Sequence, residues 1–557
     1  MKHFVLSSLL LLLALKGNTQ TWAWARNTTG SSTGVVNGLC TDGSGNIFEA
    51  GYFYGSTINF GGAVLTKQGP AGSGSACFLV KYDAAGNLLW AKAFGGTSNF
   101  DMIRSACTDA QGHVFVTGSL GSAQVAIGSL TLTGSGNAGS IFIAKFDVAG
   151  NVLWANRYNG SNMDEGTGIC TDAQGNVCIS AYYSSSTLAI GSTTLTCNAA
   201  RSALIAKFDG SGSLLWASQP AGSVSDAAYA ITSDAGGNFF LAGHFNSSSL
   251  SFGAFALTKS GFQDAFLAKY DGNGTALWAR STTGNNMEHF GSVAVDGAGN
   301  AYVLGHYTST VVTLGTLTLA AQAQEDVMLA KYSAGGNALW ARSVTGSGRD
   351  IGHMVHVSDA SVFFTGSMGS LGYAPGAAVT IGTLTLNPPP GYTDPMFLAQ
   401  LDINGNLQYA TALGSGGYNR SAVCTDKACH AYLGSNYANA NSVPMTIGSN
   451  TLAYTIYENV FLARLDFICL SVGLAGRSEE ESGYLLYPNP NNGSFMMELP
   501  SGGYELNIYS GLGQLVYHQA LPEGKTQVQA GTLAPGVYHY QVLNRTGSVK
   551  AGKLVLQ

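Results

Sequence analysis

The sequence predicts an all-β protein, a seven-bladed β-propeller closed by an N-terminal strand and followed by a small C-terminal β-sandwich. Three observations lead to this prediction. A segment of the type FLAKYD–turn–LLWA recurs along most of the chain. Glycine is abundant, with 75 among 557 residues, and charged residues make up only 10%. The two halves of one repeat stand far apart in the sequence, as a closed ring of blades requires.

The spacing of the aromatic anchors sets the length of the repeat. Six tryptophans and one tyrosine mark it: Trp24, Trp90, Trp154, Trp216, Trp278, Trp340 and Tyr409. Their successive separations are 66, 64, 62, 62, 62 and 69 residues. Tandem immunoglobulin-like domains need about 100 residues each, which fits poorly. A solenoid would accommodate the repeats but would give the split repeat no purpose, so the propeller is favoured.

Each repeat contains four strand signals in which large side chains alternate with small or polar ones. The second repeat begins with Ile103–Asp109 and His113–Ser119, and two further strands flank a Gly-Asn turn. An insertion between the second and third strands also repeats, which predicts an extra hairpin on each blade. The split repeat pairs FLARLD at Phe461–Asp466 with TWAWAR at Thr21–Arg26. The N-terminal segment should therefore be the outermost strand of the last blade.

Changes in composition divide the chain into four segments. Residues 1–20 have the form of a secretory signal peptide, with Lys2 and His3 before an apolar run from Phe4 to Leu15. This run is shorter than the span of about 20 residues that crosses a membrane, and no later segment is apolar enough to do so. The propeller is predicted over 21–469, an acidic linker over 470–483, and the sandwich over 484–557. The net charge of -6 offers no basic face for nucleic acid.

The nine cysteines cannot all pair with one another. Four of them, Cys40, Cys107, Cys170 and Cys424, occupy the same position of different repeats, close before an aspartate. Equivalent positions of separate blades should be too far apart for a disulfide, so free core thiols are expected. Cys170 and Cys178 could face one another across a hairpin, which leaves a disulfide open at that place.

The repeats resemble the seven-bladed propeller repeats of bacterial secreted proteins. The similarity lies in D-x-x-GN-x-Y/F followed by a G-Y/H-F/Y segment, as at Asp42–Phe53 and Asp296–Tyr307. It covers roughly residues 21–470. The resemblance implies the fold and implies no activity.

The tail resembles the C-terminal sorting domain of the type IX secretion system of Bacteroidetes. The residues that carry this similarity are Tyr487, Pro488, Asn489, Pro490, Gly493, Gly536, Tyr538 and Lys553. The resemblance implies passage through the periplasm and then across the outer membrane, with the secretion machinery as a partner. The protein should then be secreted or held on the outer cell surface.

No catalytic residue is predicted. Gly30–Gly34 matches G-x-S-x-G, but the nucleophile elbow needs a strand-to-helix turn that an all-β chain lacks. Gly134–Gly139 matches G-x-G-x-x-G without a surrounding βαβ unit. His353 and His356 lie three apart on a predicted strand, so they should point to opposite faces and make poor joint metal ligands.

The candidate binding residues lie where an outer strand leads into the next inner strand, because these loops gather at one mouth of a propeller channel. They are Asp101, Asp164, Glu165, Asp226, Glu288, His289, Arg349, Asp350 and Arg420. One interpretation is that the recurring carboxylates cap backbone N–H groups between blades. The other is an acidic mouth that holds a cation such as calcium or hydrogen-bonds a glycan. No other cofactor is predicted.

Three functions remain open at this point. The first is a surface-exposed binding or adhesion propeller, with a glycan or a surface protein as its partner. The second is a secreted hydrolase or lyase acting on polysaccharide at the channel mouth. The third is a purely structural component of the envelope or matrix. A raised carboxylate pKa beside His289 or Arg349, inside a deep pocket, would favour the enzyme.

Overall fold

The computed structural model describes residues 20–467 and 485–556, apart from short internal gaps. The gaps are 31, 69–73, 99, 135, 137, 198, 323, 359, 370–376, 393, 415–419, 438–443, 454–457, 488–492, 500–502, 511–514, 532 and 545–548. Two compact units are present, one within Met1–Leu470 and one within Ser471–Gln557. The predicted signal peptide, up to residue 19, and the predicted linker lie outside the described residues.

The described part of the first unit contains seven sheets, each with four antiparallel strands that lie side by side. We number these blades 1 to 7 along the chain and their strands from the inside outwards. The first strands are Gly34–Thr41, Met102–Thr108, Asp164–Thr171, Asp226–Ser233, Glu288–Val295, Ile351–Val357 and Ser421–Thr425. The second strands are Ile47–Phe53, Val114–Leu120, Val177–Tyr183, Phe239–Phe245, Ala301–Tyr307, Ser361–Ser367 and His430–Tyr437.

The outer half of each blade carries the sequence repeat. The third strands are Ser75–Tyr82, Ser140–Phe146, Ser202–Phe208, Asp264–Tyr270, Asp326–Tyr332, Met396–Asp402 and Asn459–Asp466. The fourth strands are Leu88–Ser98, Val152–Tyr158, Leu214–Ser218, Ala276–Thr283, Ala338–Gly346, Leu407–Leu413 and, for blade 7, Thr21–Asn27. Buried apolar side chains from neighbouring blades share common clusters, so the core is continuous around the ring.

The N-terminal strand closes the ring. Thr21–Asn27 runs antiparallel to Asn459–Asp466, with Thr21 opposite Asp466 and Ala25 opposite Ala463. Each first strand contacts the first strands of its two neighbours, and that of blade 7 contacts that of blade 1. The predicted all-β propeller with its N-terminal closing strand is confirmed.

The insertion between the second and third strands forms a two-stranded hairpin on each blade. The hairpins are Thr57–Phe60 with Ala63–Thr66, Gln124–Ile127 with Leu130–Thr133, Thr187–Ile190 with Thr193–Thr196, Ser249–Phe252 with Phe255–Thr258, Val311–Leu314 with Leu317–Ala320, Val379–Ile381 with Leu384–Leu386, and Met445–Ile447 with Asn450–Leu452. The short strand Thr29–Gly30 pairs with the first of them. Two others extend the fourth strand of the preceding blade, as Val311–Leu314 does for Ala276–Thr283.

In blades 1 to 5 the indole of the repeated tryptophan is hydrogen-bonded to the next blade. The Trp216 indole N–H donates to the carbonyl of Gly272, 3.1 Å away in the turn of the following blade. Trp278 bonds Ala334 in the same way at 3.0 Å. The turn also needs its glycine, because Gly274 has φ +85° and a Cβ there would lie 2.8 Å from the Trp216 ring. The Gly-Asn turn and the tryptophan therefore recur together because they are two halves of one contact.

A buried ion pair explains the lysine and the aspartate of the repeat. Lys207 Nζ lies 2.9 Å from Asp172 Oδ2, and Lys269 Nζ lies 3.0 Å from Asp234 Oδ2. Removing one partner of a buried pair would leave the other charge uncompensated, so the two residues should change together. In blade 6 Gln400 replaces the lysine and donates to the Ser361 hydroxyl at 2.8 Å.

The thiols at the shared repeat position are free, as expected. Cys170 and Cys178 lie directly opposite one another on paired strands and are nevertheless unbonded. Burial raises the pKa of both thiols, so they are protonated and unreactive. Cys429 is disulfide-bonded.

The second unit consists of two antiparallel sheets. One contains Leu485–Tyr487, Ser494–Leu499 and Gly524–Gln529. The other contains Leu515–Leu521, Tyr504–Tyr509, Gly536–Asn544 and Val549–Leu556, in this spatial order. Phe495 and Val528 of the first sheet share one buried cluster with Leu506, Val542 and Leu554 of the second. The two sheets therefore pack face to face over a core of their own.

The glycine–tryptophan contact can be tested with two matched substitutions. Gly175 has φ +79° with open space around its would-be Cβ, whereas Gly274 combines φ +85° with the Trp216 ring. We expect Gly175→Ala to cost about 1–2 kcal/mol of unfolding free energy, the cost of a left-handed Cβ. Gly274→Ala should cost about 1–3 kcal/mol more, because the ring must move. Equal losses in urea titrations of the two variants would show that the contact is dispensable.

Candidate binding site at the channel mouth

The first strands of all seven blades line a central cavity of about 820 Å³. Each first strand begins at the same face of the ring, where the fourth strand of one blade leads into the first strand of the next. The sequence placed the candidate residues at this mouth. The structure separates them into two groups with different surroundings.

A β-bulge shapes the wall of the cavity. In blades 1 to 6 the pairing between the first and second strands skips one residue of the first strand. The skipped residues are Asn37, Arg104, Thr167, Tyr229, Gly291 and His353, and all six line the cavity. A bulge re-aims a side chain without disturbing the rest of a sheet. These positions therefore bring six different residue types to one channel.

Five of the candidate carboxylates do not line the cavity. Asp101, Asp164, Asp226, Glu288 and Asp350 are at most 2% exposed. Each accepts hydrogen bonds from the loop that follows the second strand of its own blade. Asp164 Oδ1 accepts from the backbone N–H groups of Ser184 and Ser185 at 3.0 and 3.1 Å, and its Oδ2 accepts from the Ser185 hydroxyl at 2.6 Å. Asp226 repeats this pattern with Asn246 and Ser247.

Asp101, Asp164, Asp226 and Asp350 therefore cap backbone N–H groups, whereas Glu288 accepts from the Ser309 hydroxyl. Asp101 also accepts from the Gly96 N–H of the preceding blade at 2.8 Å. Burial raises the pKa of Glu288 to about 7, and the neighbouring Asp264 adds to the effect. Burial also raises the pKa of Asp350 to about 7, assisted by Asp326 and Glu325. Glu288 immediately precedes His289 and Asp350 immediately follows Arg349, yet both carboxyls are buried outside the cavity and cannot meet a substrate there.

The other four candidates, Glu165, His289, Arg349 and Arg420, belong to a group of unlike side chains at the mouth. Glu165 lies beside Tyr182 on the paired strand and accepts from its hydroxyl. The Arg104 Nε forms an ion pair with the other oxygen of Glu165. The guanidinium of Arg201 stacks 4.2 Å from the centre of the Tyr182 ring.

The group continues through blades 4, 5 and 6. The ring of Tyr229 meets that of His289 edge-on, with centroids 4.7 Å apart, and His289 lies 4.8 Å from His306. His306 Nε2 lies 3.1 Å from Glu325, which also pairs with Arg349. Burial lowers the pKa of His306 to about 4, assisted by Arg349, and burial holds that of His289 well below its usual range. Both imidazoles are therefore neutral at neutral pH.

Arg420 stands immediately before the first strand of blade 7 and is exposed to the channel. Arg104, Tyr52, Glu165 and Tyr229 are close enough to act on its charge. No described residue forms an ion pair with it. We refer to Arg104, Glu165, Tyr182, Tyr229, His289 and Arg420 as the mouth cluster.

Sequence reasoning missed Arg104, Tyr182, Arg201, Tyr229, His306 and Glu325. Arg104 and Tyr229 were missed because a period-two pattern does not reveal an inserted bulge residue. The other four lie on second strands or just before third strands, and only the folded blades bring them next to the mouth. The same bulge breaks the strict alternation on which the prediction for His353 and His356 rested, and both residues border the cavity. A signal was available, because the bulge position changes type from blade to blade while the residue after it is small in blades 1 to 5: Gly38, Ser105, Gly168, Ala230 and Ser292.

Across the described ranges, no three His, Cys, Asp or Glu side chains are placed to hold a metal ion. The five buried carboxylates among the acids that suggested calcium accept hydrogen bonds from the protein itself.

Comparison with known proteins identifies the tail. Residues 485–557 match the model of the secretion system C-terminal sorting domain. The tail is a type IX secretion sorting domain. The protein is therefore exported to the cell surface or the medium.

The structure places part of the sorting motif. Gly536 and Tyr538 lie at the start of the strand Gly536–Asn544, and Lys553 lies in the last strand. Residues 488–490 of the motif fall outside the described residues. Among described residues no helix is long and apolar enough to cross a membrane.

The propeller is similar in sequence to an uncharacterized WD repeat-containing protein of Acanthamoeba polyphaga mimivirus. The two are 24% identical over 391 residues, which is 57% of this chain and 28% of that protein. Similar solved structures include the WD40 domain of Neurospora crassa Pan2, with a TM-score of 0.37, 8% identity, and coverage of 79% of this chain and 95% of that one. PorZ, a surface component of the type IX secretion system of Porphyromonas gingivalis, matches with a TM-score of 0.17, 9% identity, and coverage of 96% and 100%.

The raised pKa of Glu288 predicts a pH dependence of stability. Between pH 4.5 and about 7 the unfolded carboxyl loses its proton while the folded one keeps it. The folded state therefore binds more protons, and this contribution to stability is complete below pH 4.5 and is lost as the pH rises to about 7. As the pH rises from 4.5 to about 7, the unfolding free energy of the wild type should fall relative to that of Glu288→Gln. Above about pH 7 the difference between the two should stay constant. Parallel pH profiles in urea titrations would contradict the assignment, and Asp350→Asn should behave like Glu288→Gln.

Proposed function

We propose that the propeller is a non-catalytic binding or adhesion module, displayed at the cell surface or released, which binds its ligand at the channel mouth. The mouth cluster supports this proposal because it brings arginine, tyrosine, histidine and carboxylate groups from five blades to one opening. A purely structural ring would have no need for unlike groups at equivalent positions. The rigid blades hold these side chains in fixed positions, which favours binding.

The charges in the cavity favour binding over hydrolysis. General acid–base chemistry on polysaccharide requires a carboxyl group pair that a substrate can reach. Among the described residues that line the cavity, Glu165 is the single carboxylate, and it lies beneath Arg104 and Tyr182. None of the described carboxyls whose pKa is raised lines the cavity; they are Glu49, Asp164, Glu288, Asp350 and Glu458.

A glycan or another surface polymer fits this cluster as a ligand. Tyrosine combines a flat apolar face with a hydroxyl, which suits the alternating apolar and polar faces of a sugar ring. Tyr229 borders the cavity and offers such a group, next to the buried ring of Tyr182, with ring centroids 6.2 Å apart. The C-terminal domain has a separate partner, the secretion machinery that exports the chain.

The proposal predicts saturable binding of the full chain to immobilised polysaccharides, tested on a panel of neutral and acidic polymers. Tyr229→Ala should weaken the affinity about tenfold, the loss of one aromatic anchor. Phe262→Ala is the matched control, since Phe262 is an aromatic of the same blade, 65% exposed and absent from the cavity wall. Thermal unfolding checks that both variants fold.

Equal binding by Tyr229→Ala and the wild type would place the interaction elsewhere on the molecule. Absence of binding across the panel would overturn a saccharide-binding function. Shortening of the polymer during incubation would establish the alternative, a secreted hydrolase or lyase.

A further inference from the structure

The charged residues of the cavity are unbalanced. Within the described residues that line it, two carry a positive charge, Arg104 and Arg420, and one carries a negative charge, Glu165. Arg104 uses its Nε to pair with Glu165. Arg420 is exposed to the channel, and no described side chain pairs with it. The mouth is therefore locally positive on a chain whose net charge is -6.

The two guanidinium groups act on each other. Desolvation in the channel lowers the pKa of Arg420, and the positive charge of Arg104 lowers it further. Two like charges in a partly water-excluded space repel more strongly than they would in bulk solvent. An oxyanion placed between them would remove this repulsion and would accept charge-assisted hydrogen bonds from both groups.

The surrounding groups are polar and uncharged. Burial lowers the pKa of His353 to about 3, and its Nδ1 lies 2.9 Å from the Ser421 hydroxyl. Its Nε2 has no described partner. His289 is held neutral in the same way, beside the ring of Tyr229. His244, 8% exposed and next to both rings, has an Nδ1 without a described partner. Neutral imidazoles and a phenol match sugar hydroxyls, which both donate and accept hydrogen bonds.

We propose that the channel mouth binds the oxyanion of an acidic saccharide, a uronate carboxylate or a sugar sulfate, between Arg104 and Arg420, with the sugar ring against Tyr229. This inference rests on the proposed binding function and names its ligand class. The sequence suggested an acidic mouth. In the structure, five of those acids are buried and bond groups of the protein itself. The bulge of blade 2 places Arg104 at the cavity, so the mouth is positive instead.

The test uses the full chain and measures affinity by titration calorimetry for three probes: an oligogalacturonate, its neutral methyl ester, and a sulfated oligosaccharide. At least one acidic probe should bind more tightly than the ester. Arg420→Gln should weaken the affinity for that probe about tenfold to a hundredfold, the usual range for a hydrogen bond to a charged group. The same variant should change the affinity for the ester little.

Lys427→Gln is the matched control, because it removes one positive charge from the same blade at the far end of its first strand. It should leave the affinity for all three probes unchanged. Arg420→Lys keeps the charge without the planar fork and should restore part of the affinity. Thermal unfolding of each variant separates loss of binding from loss of fold.

The outcomes separate this inference from the function on which it rests. A preference for the sulfated probe or for the uronate supports the oxyanion site and assigns the anion. Equal affinity for acid and ester, unaffected by Arg420→Gln, overturns the oxyanion site and leaves a binding propeller for neutral sugars. Failure to bind any saccharide overturns both.

Discussion

The structure depends on the closure of the ring by the N-terminal strand. Thr21–Asn27 completes blade 7 beside Asn459–Asp466, so the first and last blades become neighbours. An open array would leave two blade faces and a strand edge without partners. Closure also fixes the position of each first strand around a common axis. The channel and its mouth exist because these strands are held in a cycle, and the side chains of distant repeats meet as a result.

Scaffold and site use different positions of the same repeat. The tryptophan, the turn glycine, the lysine–aspartate pair and the buried acid recur because each satisfies a contact that most of the blades share. The bulge residue stands outside the strand pairing. Its side chain makes a contact that differs between blades, since Asn37, Thr167 and His353 hydrogen-bond the next blade and Arg104 pairs with Glu165. Because the repeat does not fix this contact, the residue type can vary, as it does from Arg104 in blade 2 to Tyr229 in blade 4, and there a binding site can arise.

Export places further constraints on the chain. A protein carried to the cell surface leaves the reducing cytosol, where free thiols would remain reduced. Here the thiols of Cys170 and Cys178 are buried, and their raised pKa keeps them protonated and poor nucleophiles. The propeller thus tolerates free cysteines outside the cell. Several of the few aspartates in the chain stabilise turns. Asp271, for example, accepts hydrogen bonds from the backbone N–H groups of Asn273 and Thr275 in its own turn.

The sequence by itself determined the propeller, its closing strand, the hairpin on each blade and the sorting tail, because these follow from periodicity and from local turn chemistry. The sequence did not predict the bulges, because an extra residue in one strand becomes evident only from the residues that pair with it on the neighbouring strand. The same limit applied to the site. Glu165 and Asp164 are adjacent in the sequence, yet one faces Arg104 and the other caps Ser185, because neighbouring residues of a strand point to opposite sides. The tertiary structure decided which acids serve the fold, and it placed Arg420 and Arg104, far apart in the chain, at one mouth.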